Sequence, residues 1–160
     1  MEQKIYDLFK QLNIDYEKIE HPALFTCEDC EKYKIEFNGV DCKNLFLRNR
    51  NKSKYYLVSL PLEKRADLKV LQERLEESKL SFGNEEVLLE KLNITSGSVS
   101  LLNIIGVEKT DVTFIIDEEI LKSEKVGFHP NVNTATVLFS PSDIVKIMEH
   151  YNAEYKFIEI

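Results

Sequence analysis

Apolar residues recur at Ile5, Leu8, Phe9 and Leu12, so the chain is expected to open with an amphipathic helix. Ile14 to Glu20 reads as a short strand that stops at His21-Pro22, where proline favours an extended approach. Thr26 is placed to cap a second helix running toward Ile35. Two strands follow, one around Lys43 and one at Tyr55-Tyr56-Leu57-Val58-Ser59-Leu60, joined as a hairpin with Asn49 to Ser53 near its tip. Apolar side chains fall on both faces of the second strand, which predicts a central position in the sheet. Asp67 caps a helix whose buried side carries Leu68, Leu71 and Leu75, and Leu80-Ser81-Phe82 is a short strand. Asn84 caps a further helix, with Glu85 and Glu86 in the turn where the dipole favours anions. Asn93 to Asn103 is expected to be a loop. Val112 to Ile116 and Thr134 to Phe139 are expected to be buried strands. Ser140-Pro141-Ser142-Asp143 predicts a helix start with Ser140 as cap and Pro141 in the first position, and Tyr155 to Ile158 closes as a strand.

This order predicts one α/β domain over residues 1–160, with a mixed, curved sheet surrounded by helices. A chain of 160 residues can build its core without disulfide or metal staples. No apolar run reaches the length needed to cross a bilayer, and the acidic N-terminus is not a secretory signal, so a cytoplasmic protein is expected. The three cysteines, Cys27, Cys30 and Cys42, argue against a disulfide framework. Cys27-Glu28-Asp29-Cys30 has the spacing of half a metal site, but no second pair completes it, and two acids between the thiols oppose thiolate formation. A redox or metal role for these cysteines is not expected.

The net charge of -7 argues against a protein that coats nucleic acid by bulk electrostatics. The charge is uneven, however. Between Lys43 and Lys69 eight cations face two acids, a local balance of +6 that could hold a few phosphates. Within that stretch Lys43 stands in an apolar strand, where a partly dry ammonium attracts an anion more strongly than an exposed one. Asn44 adds an amide beside it. His129 lies between Gly127 and Pro130, so it is expected at a bend, where an imidazole can donate or accept near neutral pH. Gly97-Ser98-Val99 could form a turn whose amides cradle an oxygen. Gly-x-Ser-x-Gly, His-Glu-x-x-His, Gly-x-Gly-x-x-Gly and a Walker loop are all absent. A hydrolase built on this chain is expected to use neither a covalent nucleophile nor a metal.

Taken together, several segments resemble the YbaK/ProRS-associated editing family of aminoacyl-tRNA deacylases. They are His21-Pro22 with Phe25-Thr26; Cys42 to Arg48; Tyr55 to Val58; Leu80 to Phe82; Gly97 to Val99; Phe128-His129-Pro130 with Asn133-Thr134-Ala135-Thr136; and the Ser142-Asp143 helix start. The resemblance spans nearly the whole chain. It implies hydrolysis of the ester on mischarged tRNA(Pro), foremost Ala-tRNA(Pro), without a cofactor. It implies Lys43, Gly97 and His129 as catalytic residues, and Asn44, Ser98, Val99, Phe25, Thr26 and Phe82 around the substrate. Arg48, Arg50, Lys52 and Lys54 would meet the tRNA acceptor end, and prolyl-tRNA synthetase is a further candidate partner. Four residues after Gly97 the family usually has proline; this chain has Leu101. A deacylase for Cys- or Ser-charged tRNA, or a non-catalytic sensor of charged tRNA on the same fold, would satisfy the same residues.

Overall fold

The computed structural model describes residues 2–23, 39–107, 110–132 and 134–160. The helix expected after Thr26, and with it Phe25, Thr26, Cys27 and Cys30, lies outside the described residues.

Helix α1 (Glu2–Gln11) buries Ile5, Leu8 and Phe9, as its spacing predicts. Asn13 then turns the chain in a left-handed conformation, and Ile14 folds back to donate its amide to the Phe9 carbonyl. The first strand therefore begins later than expected, at β1 (Tyr16–Glu20). The hairpin follows as β2 (Val40–Asn49) and β3 (Tyr55–Pro61). Its turn is built by Asn49, whose buried Oδ1 accepts from the amides of Ser53 and Lys54 while Lys52 takes a left-handed backbone. Asp67 Oδ1 caps α2 (Leu68–Arg74) through the Lys69 and Val70 amides, and Asn84 caps α3 (Glu85–Leu92) through the Val87 amide. Between these helices lies β4 (Leu80–Phe82). Strands β5 (Val112–Asp117), β6 (Val126–Phe128) and β7 (Ala135–Phe139), helix α4 (Asp143–His150) and strand β8 (Tyr155–Ile158) complete the order.

Two expectations are corrected. Residues 93–103 are not an irregular loop: 3-10 helices form at Ser96–Ser98 and Leu101–Gly106, the second begun by the reciprocal cap between Ser100 and Asn103. Gly127 lies in strand β6, paired with Asp41 and Leu138, and His129 follows the last residue of that strand. Ser140 does not cap the last helix through its hydroxyl, which meets Ser142 instead; the Ser140 carbonyl accepts from Asp143 in a tight turn that delays the helix to Asp143.

The strands form an eight-stranded mixed sheet in the order β1-β7-β6-β2-β3-β5-β8, with β4 also paired to β2. β3 is central, as its two apolar faces require, antiparallel to β2 and parallel to β5. One face packs Cys42, Phe46, Leu57, Phe114 and Val137 against α1, the 3-10 helix Leu101–Gly106 and α4. The other carries Leu47, Val58, Leu60 and Ile115 under Leu71 of α2.

One feature of this sheet prepares a site. Along a single edge, β2 pairs with β6 only through Val40 and Asp41, and with β4 only through Leu47, Arg48 and Asn49. The sheet thus splits beside residues 42–45, which have no strand partner on that edge among the described residues.

Candidate active site

Lys43 stands in this split. It pairs across β3 with Leu60, so its side chain shares the sheet face of Leu45 and Leu47, while Cys42, Asn44 and Phe46 point the opposite way. Lys43 is half-buried and makes no ion pair or hydrogen bond among the described residues. Its ammonium is therefore available to an external anion.

Asn44 ties the strand to the 97–103 segment. Its Oδ1 accepts from the Ser59 hydroxyl at 2.7 Å and from the Leu101 amide at 3.1 Å. The amide donor at Leu101 fixes the orientation of the Asn44 side chain, since only its oxygen can accept. A proline at position 101 would have no such donor, so this chain replaces the stiffness of a ring with a hydrogen bond and with the fully buried Leu101 side chain. Gly97 and Ser98 lie in the short 3-10 helix, and no described glycine has a positive φ. The turn at Gly97 is a 3-10 turn that needs no left-handed glycine, and it leaves its leading amides without partners inside the turn.

Asn103, fully buried, joins this segment to the histidine. Its Oδ1 accepts from the Ser100 amide, and its Nδ2 donates both to the Ser98 carbonyl and to Oδ1 of Asn131, two residues beyond His129. Asn44, Asn103 and Asn131 thus stitch together three stretches far apart in sequence. The Nδ2 groups of Asn44 and Asn131 are buried donors with no partner among the described residues.

His129 follows the last residue of β6 and is half-buried. Its Nδ1 lies 3.2 Å from the Ala135 carbonyl, which can only accept, so Nδ1 carries the proton and Nε2 a lone pair. Burial holds this imidazole below its ordinary pKa; the Ala135 carbonyl opposes the effect and His21 adds to it. Near pH 7 His129 is a neutral acceptor. His21 packs edge-on against it with ring centroids 6.1 Å apart. His21 Nδ1 donates to the Pro22 carbonyl, which leaves Nε2 to accept from the Thr136 hydroxyl at 2.9 Å. This pair was not legible in the sequence, where His21 reads as a structural residue before a proline.

Asp41 completes the face. It lies one pleat before Lys43 and pairs with Gly127, and it is also absent from the sequence expectation. Burial pushes its carboxyl up to about 6, against the lowering effect of the Cys42 amide. Cys42 itself is buried, and burial raises its thiol well above the usual range, so it is a core residue without nucleophilic character.

The remaining expected residues lie away from this cluster. Phe82 pairs with Leu47, about 13 Å along β2 from Lys43, and is 62% exposed. Arg50, Lys52 and Lys54 are exposed on the hairpin turn beyond it, whereas Arg48 is half-buried and donates to the Asn49 carbonyl. Lys64, counted in the basic stretch, is committed to Asp117 at 2.8 Å and Glu119 at 3.1 Å. Among the described residues, no group of three His, Cys, Asp or Glu side chains is placed to hold a metal.

A model of the aminoacyl-tRNA editing domain matches residues 21–147, which includes every segment of this cluster. The chain belongs to the aminoacyl-tRNA editing domain family. Across 99% of its length this editing domain is 35% identical to the prolyl-tRNA editing protein ProX of Acetoanaerobium sticklandii, covering 96% of that protein. It is also 35% identical to the prolyl-tRNA synthetase associated domain-containing protein 1 of Mus musculus, over 84% of this chain and 81% of that one. Among solved structures, one provisionally described as a trans-editing enzyme for prolyl tRNA synthetase superposes with a TM-score of 0.70, covering 99% of this chain and 96% of the other. At 16% identity that likeness speaks to the fold, a mixed sheet with flanking helices.

Proposed function

We propose that this editing domain hydrolyses the ester between a wrong amino acid and tRNA(Pro), with alanine the amino acid removed. The observation that carries the reading is the convergence just described. Asn44, the 3-10 segment after Gly97, and the loop after His129 meet through three asparagine side chains, and the unpaired Lys43, on the opposite face of β2 from Asn44, stands at the split in the sheet beside them. The family membership and the prolyl-tRNA editing relatives support the substrate class.

In the proposed reaction water adds to the ester carbonyl carbon, the acyl carbon–oxygen bond to the ribose breaks, and one water proton ends on the ribose oxygen. The ammonium of Lys43 and the leading amides of the 3-10 turn at Gly97 stabilise negative charge as it develops. Ser98 and Val99 form the wall beside them. The orphan Nδ2 groups of Asn44 and Asn131 supply further donors for carbonyl or ribose oxygens. His129 Nε2 accepts a proton or hydrogen bond from the water or the ribose hydroxyl. An aminoacyl ester is already activated, and a thousandfold acceleration needs only about 4 kcal/mol, which one or two well-placed oxyanion donors can supply. Editing is needed because a missing methylene gives a synthetase pocket only about 1–3 kcal/mol of discrimination. Arg50, Lys52 and Lys54 meet phosphates of the acceptor end, with Arg48 bracing the turn and Phe82 lying between them and the reacting ester. Phe25 and Thr26 contribute to the aminoacyl pocket, and a prolyl-tRNA synthetase could present the substrate.

The purified chain should release alanine from Ala-tRNA(Pro) faster than cysteine or serine from the corresponding tRNAs. Lys43→Ala should lower kcat/KM for alanine release by at least about a hundredfold, the effect of removing one transition-state donor. Binding of charged tRNA without turnover, or turnover indifferent to Lys43→Ala, overturns the reading.

A further inference from the structure

We infer that Asp41 is the anchor for the α-ammonium group of the aminoacyl ester and makes this site selective for substrates that carry one. The inference deepens the deacylase reading and rests on it. Asp41 and Lys43 are two residues apart on β2 and so project from the same face, their Cα atoms roughly 7 Å apart. On the other side of Asp41, the pairing with Gly127 leads to Thr136 and the two histidines. A side chain at Gly127 would close this approach. An ideal Cβ there would lie 3.1 Å from Asp41 Oδ1, 3.0 Å from Thr136 Cγ2 and 3.1 Å from Leu138 Cδ2. The glycine keeps the carboxylate uncrowded.

Among the described residues, the carboxylate's one polar partner is the Cys42 amide at 3.1 Å, and it has no ion pair. A partly buried carboxylate without a cation is costly to maintain, which is reflected in its raised pKa. The charged groups on its face are Lys43, which makes no ion pair with it; Glu17, which is paired with Lys125; and the histidines, of which His129 is neutral near pH 7. The missing cation must therefore come from outside the described residues. An aminoacyl-tRNA brings one: its α-ammonium stands on the carbon next to the ester carbonyl. With the ammonium on Asp41, the carbonyl falls toward Lys43. The two side chains thus read the substrate's two poles, and the size of the amino-acid side chain is left to the rest of the pocket.

The test compares Ala-tRNA(Pro) with lactyl-tRNA(Pro), which replaces the α-ammonium by a hydroxyl and is otherwise the same, each rate being corrected for spontaneous hydrolysis. In Asp41→Asn, kcat/KM for the alanyl ester should fall about tenfold to a hundredfold, the worth of a charge-assisted hydrogen bond. The lactyl ester should lose less than about threefold, and the variant should melt at or above the wild-type temperature. Lys43→Ala should depress both substrates alike. Equal loss on the two esters in Asp41→Asn, or undiminished turnover of the alanyl ester, overturns the inference and leaves the deacylase reading standing. Absence of turnover of any charged tRNA by the wild-type chain overturns the deacylase reading, and the inference with it.

Discussion

At the scale of single residues, the site is shaped by groups whose partners are incomplete. Lys43 and Asp41 lack counter-ions among the described residues, and Asn44 and Asn131 each bury an unpaired amide donor. Such groups lower stability unless something binds them. Asp41 makes the cost measurable. Its folded pKa of about 6 lies above the ordinary value of 3.8, so between these the native state holds more protons than the unfolded chain. Its contribution is therefore full below about pH 4 and is lost as pH rises toward 6 and beyond. Urea unfolding of the wild type and Asp41→Asn between pH 4 and 8 should show the variant gaining stability relative to wild type as pH rises, with the gain levelling off above about pH 6–7. Parallel pH profiles would remove the raised pKa from the account.

At the scale of elements, the 3-10 helix Leu101–Gly106 holds the site together although it is short. Its cap, Ser100, is fully buried, as are Leu101, Leu102 and Asn103. Asn103 satisfies Ser100, Ser98 and Asn131 at once. Asn103→Leu keeps a similar volume but strands a buried amide, a carbonyl and a side-chain oxygen. It should cost about 2–4 kcal/mol by chemical denaturation, since each stranded buried group costs about 1–3 kcal/mol and exposure relieves some of that. Deacylation should fall further than the loss of folded protein explains, because the segment facing the ester is no longer tied to the His129 loop. A stability change within about 0.5 kcal/mol would show that the network is not structural.

At the scale of the whole molecule, charge is divided by region. The chain carries a net -7, yet Arg50, Lys52 and Lys54 are presented together on a rigid turn at the far end of the strand that holds Lys43. The acidic edge strand β1 binds its own cations, with Lys18 on Glu2 and Glu20 and Lys125 on Glu17. The basic turn is then the region best suited to phosphates. Reversing Arg50 and Lys52 to Glu should weaken tRNA binding and reduce the magnitude of the slope of log K against log salt by about 1–2, as expected for one or two lost phosphate contacts. An unchanged slope would place the tRNA elsewhere on the surface. Lys64 would not substitute for these residues, because it is held by the buried Asp117.

Local physics determined much of this protein from the sequence alone. Apolar spacing set α1 and the two-faced strand β3, side-chain oxygens of Asp67 and Asn84 set two helix starts, and Asn49 set the hairpin turn, because each of these acts within a few residues. Lys43 and His129 were legible as candidates by residue type, neighbours and family pattern. The tertiary structure alone decided the rest. The three-residue strand β6 has no period to read and exists because Asp41 and Leu138 flank it. The pairing of His21 with Thr136 spans 115 positions, and the bond from Leu101 to Asn44 spans 57. A chain that closes such distances does so through the packing of its core, and no local pattern records which polar groups that packing will bring together.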